Sequence, residues 1–128
     1  MIKNFLVINC TGKNNDSLAL KFNNKFIIEN IPKKINKNEQ LVNNILAFLK
    51  KNKAELNKEF SVIVNQGPGS FSSIRVSISV AIGIKISMKT KLFGYSNKQM
   101  NELSLENIEF LIDKKKLENK LIKPIYIS

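Results

Sequence analysis

The chain has 128 residues, 43% of them apolar and 24% charged, a length and balance that fit one folded domain burying about two-thirds of its unfolded surface. It holds no histidine and a single cysteine, which excludes histidine general bases, Ser-His and Cys-His dyads, internal disulfides and thiolate metal clusters. Lys and Arg number 21 against 10 Asp and Glu, a net charge of +11; the crowding of asparagine, isoleucine and lysine is what A/T-rich codons supply, and this bias outweighs a phosphate-bearing partner as the source of the excess.

From the N-terminus, Phe5-Leu6-Val7-Ile8 reads as a buried strand, too short for a secretory core or a membrane span. With the lone Cys10 it leads to the expectation of a cytoplasmic protein without a membrane partner. Thr11 to Asp16 reads as a turn, Ser17 to Phe22 as a half-buried strand, Asn23-Asn24 as a tight hairpin and Lys25 to Ile31 as a third strand, which together form an antiparallel meander. Pro32 breaks the pattern. Asn36 with Glu39 resembles a capping box, and Leu41, Val42, Ile45, Leu46 and Leu49 follow at helical spacing, with Lys50, Lys51 and Lys53 at the end where the helix dipole favours cations. Phe48 lies off the centre of that stripe and is expected to reach a partner.

Phe60 to Val64 is a short apolar run bounded by turn residues, as in a central strand. From Ile74 to Met88 every second residue is apolar, which taken alone predicts a strand; such a strand would be about 50 Å long, far beyond normal lengths, so length predicts a buried helix instead. Ser77, Ser79, Ala81, Gly83 and Ser87 give it small surfaces for close packing. Lys91 to Tyr95 reads as a strand, Ser96 with Gln99 as the start of a short helix, Ile108 to Leu111 as a short element, and Lys114 to Lys116 as a solvated face. The tail ends at Lys123 to Ser128.

Between the central strand and the long helix lies Gly67-Pro68-Gly69-Ser70-Phe71. A strand, a glycine turn and a helix in that order aim unpaired helix amides at the loop, where an anion can sit, and Arg75, the sole arginine of the chain, stands one turn in. Pro68 lacks an amide hydrogen, and neither a Walker A sequence nor a complete dinucleotide fingerprint is present. A tight turn that lets the helix pack closely on the sheet is the simpler reading.

Gly67-Pro68-Gly69-Ser70-Phe71-Ser72-Ser73-Ile74-Arg75 resembles the Gly-Pro-Gly-Ser-Phe-Thr-Gly-x-Arg signature of the TsaB (YeaZ) family. Phe5 to Thr11 resembles the family's opening strand Ile-x-x-Ile-Asp-Thr-Ser, Asn38-Glu39-Gln40-Leu41 its first helix start, Leu92 to Ser96 its Gly-Val-Ser strand and Lys123 to Ile127 its closing Pro-x-Tyr-Leu. The resemblance implies an α/β, ribonuclease H-like fold of the actin, sugar-kinase and Hsp70 ATPase kind, with an N-terminal meander and flanking helices. It divides the chain into a TsaB-like domain over 1–104 and, over 105–128, a short connection and tail in place of the usual second domain. Asn9 stands where the family carries aspartate, and Ser73 where it carries glycine.

The function so implied is a non-catalytic scaffold that pairs with a TsaD-like catalytic subunit, joined by a TsaE-like ATPase, in threonylcarbamoyl modification of A37 in tRNA. The tRNA is contacted indirectly or weakly, and a homodimer is the other possible assembly. Leu41, Ile45, Phe48, Leu49, Ile78 and Ile82 are the expected interface residues, and Gly67 to Phe71 with Arg75 a motif and anion-loop candidate. No catalytic residue, metal or cofactor is expected. Two alternatives come from other classes. One is a nucleotide-binding accessory module, an ATP-binding hydrolase or the peptidase once proposed for the family's relatives, for which the residues offer no base and no activated nucleophile. The other is a basic RNA-contacting module, against which stands the lack of aromatics interleaved with basic residues along a strand.

Overall fold

The computed structural model describes residues 2–13 and 16–125. Strands β1 (Asn4–Asn9), β2 (Ser17–Phe22) and β3 (Lys25–Asn30) are followed by helix α1 (Asn38–Lys51), strand β4 (Phe60–Asn65), helix α2 (Phe71–Met88), strand β5 (Lys91–Tyr95) and helix α3 (Leu105–Asp113). They form one five-stranded sheet in the order β3-β2-β1-β4-β5. The meander is antiparallel, with Val7 opposite Ala19 and Ala19 opposite Ile28, whereas β4 lies parallel to β1 and β5 parallel to β4. Asn23 and Asn24 both have positive φ, 53° and 62°, the conformation that a two-residue hairpin needs and asparagine tolerates.

Alternation along each strand feeds two cores. Leu6, Ile8, Leu18, Leu20, Phe60, Val62 and Val64 point to the layer formed by α1 and α2. Phe5, Val7, Ala19 and Ile63 point the other way, onto Met100, Ile108 and Leu111. With both faces covered, the first four residues of β2 are all buried, not half-buried as the alternation suggested. The second layer depends on α3, whose N-cap Ser104 accepts a hydrogen bond from the Asn107 amide. Residues 105–113, which the sequence assigned to a connection, thus supply part of the domain's core.

Local details depart from expectation where a side chain found a different partner. Lys37, not Asn36, is the N-cap of α1, and the Asn36 amide donates to Gln40 Oε1, not to Glu39. Ser96 to Gln99 stays a turn: Gln99 Oε1 accepts from the Ser96 amide as a capping box would, and Met100 then turns into the second core and ends the segment. The helix over Ile74 to Met88 is present and begins at Phe71, but it is buried only through Ala81. Its length and apolar composition would suffice to cross a membrane; its first half instead lies against β4, β5 and β1. Tyr126 to Ser128 and Asn14-Asn15, parts of the expected tail and turn, lie outside the described residues.

Candidate functional site

In an open α/β sheet, ligands gather at the carboxyl ends of the parallel strands, where the strand order reverses. Here that point lies between β1 and β4: the chain leaves β1 toward β2 on one side and leaves β4 toward β5 on the other. The residues that emerge there are Asn9, Asn65 and Tyr95 with Asn97, and they bond to one another. Asn65 Nδ2 donates to Asn9 Oδ1 and to Asn97 Oδ1, each at 2.8 Å. The Tyr95 hydroxyl donates to Asn9 Oδ1 at 3.2 Å, and Asn9 Nδ2 donates to Ser17 Oγ at 3.2 Å. Burial drives the Tyr95 phenol well above its ordinary range, so it remains a donor. The switch point is therefore filled by neutral amides and a phenol. A carboxylate at residue 9 would be the natural anchor for a hydrated cation; the amide at Asn9 has spent its oxygen on two donors.

The Gly67 to Phe71 loop is bound inward as well. The Gly67 amide donates to Asn65 Oδ1 and the Ser70 amide to the Thr11 carbonyl, Pro68 has none to give, and the Gly67-Pro68 peptide is cis. Asn97 Nδ2 donates to the Pro68 carbonyl at 2.6 Å. Gly69 packs on Thr11 so closely that an added Cβ would lie 2.7 Å from the Thr11 Cβ. The loop seats α2 on β1: Ser77 Oγ donates to the Cys10 carbonyl at 2.8 Å, and Ser73 Oγ donates to the Ile35 carbonyl. That geometry supports the tight-turn reading. On the outer side, the residues 123–125 close over the loop, with Gln66 Nε2 donating to the Lys123 carbonyl and the Ile125 amide to the Gln66 carbonyl.

Other groups near this point are inert by burial. Cys10 is fully buried, and desolvation followed by the nearby Asp16 charge holds its thiol far above the usual range, the opposite of an activated nucleophile. Asp16 is raised by desolvation while accepting from the Gly12 amide. Arg75 lies over the last residue of the loop, its guanidinium 5.0 Å from the centre of the Phe71 ring.

The second feature is a groove between α1 and α2, floored and walled by Val42, Ile45, Leu46, Val80, Ile84 and Met88 and about 1320 Å³ in volume. It exceeds the 300–1,000 Å³ typical of small-molecule pockets. Within it Leu46 of α1 is 58% exposed, and Val42 and Met88 are also open; Ile82 and Ile86 are exposed on α2 outside the groove lining. This surface corrects the expected interface set: Leu41, Phe48 and Ile78 are buried away from the groove, Ile45 and Leu49 are buried but line its base, and Ile82 is exposed outside it. The apolar stripe of α1 is broader than the sheet can cover. Leu41 and Phe48 face inward and Ile45 and Leu49 form the buried base of the groove, while Val42 and Leu46, one position round from Leu41 and Ile45, look into it. The i, i+4 relation of Val42 to Leu46 and of Val80 to Ile84 was the signal that distinguishes the second face.

The molecule is thus a three-layer α/β protein, a mixed five-stranded sheet built of a meander and two parallel additions with helices on both faces. No protein-family model and no curated protein matches the chain. Solved structures do, among them YeaZ from Pseudomonas aeruginosa and an uncharacterized protein with similarity to peptidase YEAZ from the same organism. Each of these two superposes with a TM-score of 0.64 at 18% identity, over 74% of this chain and 44% of the matched one. The fold is that of YeaZ, and the chain spans less than half the length of the structures it matches.

Proposed function

We propose that the chain belongs to the TsaB (YeaZ) family and acts as a scaffold, pairing through the α1/α2 groove with a TsaD-like catalytic subunit for threonylcarbamoyl modification of A37 in tRNA, with a TsaE-like ATPase joining the pair. The observation that carries the proposal is the groove: Val42, Leu46 and Met88 are open apolar side chains on two adjacent helices, with Val80 and Ile84 between them. A helix of another protein fits such a surface, whereas a small substrate would be poorly enclosed. The switch point supports the same reading. Where a nucleotide-hydrolysing relative would need a carboxylate and free amides, this chain has the bonded Asn9, Asn65, Asn97 and Tyr95. The buried Cys10 offers a peptidase no nucleophile.

The test is size exclusion and calorimetry of the purified chain with the TsaD homologue of the same cell. A complex at micromolar concentration that Leu46→Lys or Met88→Lys abolishes, with the melting temperature unchanged, is the expected result. Separate elution of the two proteins would overturn the pairing. ATP turnover by the chain alone would revive the hydrolase alternative. Depletion of the chain followed by mass spectrometry of tRNA nucleosides tests the pathway, with loss of threonylcarbamoyladenosine expected.

A further inference from the structure

One edge of the sheet is open. β3 is its outermost strand, flanked by β2, and none of its six residues is buried. The pairing with β2 fixes which backbone groups face outward. The Ile31 amide donates to the Asp16 carbonyl at 2.8 Å, and along an antiparallel ladder bonded and non-bonded pairs alternate. Ile31, Glu29, Ile27 and Lys25 therefore turn their amides and carbonyls to β2, whereas Phe26, Ile28 and Asn30 turn theirs to the open edge. The devices that commonly blunt such an edge are missing from its centre. Phe26-Ile27-Ile28 carries neither charge nor proline, Pro32 lies beyond the end of the strand, and the register with β2 runs through all six residues without a bulge. Ile28 is 41% exposed.

We propose that this edge pairs antiparallel with the same strand of a second copy of the chain, continuing the sheet across a two-fold axis at Ile27. Only residues whose backbone faces outward can exchange hydrogen bonds, so Phe26, Ile28 and Asn30 must meet the same three residues of the second copy, and few registers allow it. With Ile28 opposite itself, Glu29 faces Ile27 and Lys25 faces Ile31. With Phe26 opposite itself, Lys25 faces Ile27 and Glu29 faces Asn23. With Phe26 opposite Ile28, Ile27 meets Ile27, and Lys25 of each copy faces Glu29 of the other. That register alone among the three is complementary in charge, and its two ion pairs fall at non-bonded positions, where opposed Cα atoms are only about 4.5 Å apart. Both faces of the strand continue as well. Ile27 lies on the side of the α1/α2 core and would meet its own copy there; Phe26 packs on the other core, its ring 6.4 Å from that of Phe5, and would meet Ile28. Glu29 already accepts from Lys51 Nζ at 3.0 Å, and a carboxylate has lone pairs for a second cation. A foreign strand would need the same ammonium-to-carboxylate spacing in reverse; a second copy has it by symmetry. The net charge of +11 opposes association at long range, but at physiological ionic strength such repulsion is screened beyond about 8 Å. A single strand pair is a small interface, so the dimer is weak and reversible. None of the residues 25–30 lines the α1/α2 groove, and a negative result here leaves the pairing proposed there standing.

Sedimentation velocity of the full chain from low micromolar to near-millimolar concentration at physiological salt tests it, with amide hydrogen exchange read over the same range. A dimer is expected at the upper end, together with slowed exchange of the Phe26 and Ile28 amides. Ile28→Pro removes an outward amide that the pairing with β2 does not use, a substitution edge strands tolerate, and is expected to abolish the dimer. Lys25→Glu and Glu29→Lys are each expected to weaken it by roughly 2- to 30-fold, the loss of two cross-strand charge pairs. An equimolar mixture of these two variants is expected to restore it, since every carboxylate then faces an ammonium. The mixture decides the matter should Ile28→Pro not fold. A chain that stays monomeric over the whole range, a dimer that Leu46→Lys abolishes and Ile28→Pro keeps, or charge variants whose mixture associates no better than either alone would each overturn it.

Discussion

Phe48 and Leu46 sit two residues apart on α1 and should behave as opposites. Phe48 is 1% exposed among the core side chains of the α1/α2 layer, whereas Leu46 is 58% exposed in the groove. Phe48→Ala removes a fully enclosed ring, which costs about 3–5 kcal/mol once the cavity is included. At roughly 4 °C per kcal/mol for a domain of this size, the melting temperature falls by about 12–20 °C. Leu46→Ala removes atoms already in water, so stability changes by no more than about 0.5 kcal/mol. In the proposed complex the order reverses. Covering the open part of Leu46 is worth about 1–2 kcal/mol, a little over half of the full burial value, so its loss weakens pairing roughly 5- to 30-fold. Urea unfolding followed by circular dichroism reads the first quantity and calorimetric titration of the TsaD homologue the second. If Phe48→Ala weakened pairing at an unchanged melting temperature, or if Leu46→Ala unfolded the chain, the division of α1 into a core face and a docking face would be wrong.

Asn9→Ala strips the shared acceptor from Asn65 Nδ2 and the Tyr95 hydroxyl and should cost about 1–3 kcal/mol for each buried group left unpaired; Asn9→Asp keeps that acceptor and should lower the urea midpoint less. Asp16 has its pKa raised by burial, so the folded chain holds that proton more tightly than the unfolded one. Its contribution to stability is therefore full below the ordinary carboxylate value and is lost as pH rises through the raised value. Asp16→Asn should flatten this decline, seen as the difference between the two stability profiles from acid to neutral pH. Cys10 should react with a thiol reagent at neutral pH only as fast as the chain opens, since it is both fully buried and held as the thiol; rapid labelling of the native protein would contradict the fold around β1.

What the sequence made legible was decided by whether a signal was local. The strands of the meander, the asparagine hairpin and the helical spacing of α1 follow from residues close in the chain, and all appear in the structure. The long helix α2 was legible only through length, because its period-two apolar pattern, wound at 100° per residue, distributes side chains around every face. The placement of Phe48 failed because periodicity gives a stripe but not its neighbours: β1, β2, β4 and α2 together decide which edge of the stripe is covered. The bonded quartet of Asn9, Asn65, Tyr95 and Asn97 was illegible for the same reason. Its members are separated by 56 residues between Asn9 and Asn65 and 32 between Asn65 and Asn97, and polar residues at strand ends look like ordinary turn formers until the parallel register brings them together.

The proposed docking surface follows from one unevenness in α2. Its first half carries Ser73, Ser77 and Ala81 inward, small side chains that let the helix approach β1 and seat the Gly-Pro-Gly loop, with the two serines bonding backbone carbonyls. Its second half keeps the same apolar alternation without a sheet to cover it. Ile82, Ile86 and Met88 remain open, and an added Cβ at Gly83 would meet nothing within 4 Å. An uncovered helix end of that composition is costly in water unless something lies on it. The lysines nearest the groove, Lys50 and Lys53, can shield part of it with their aliphatic stems while keeping their charges in solvent. Those stems are mobile and are displaced at little cost, so the surface can be both tolerable in the free chain and available to a partner helix.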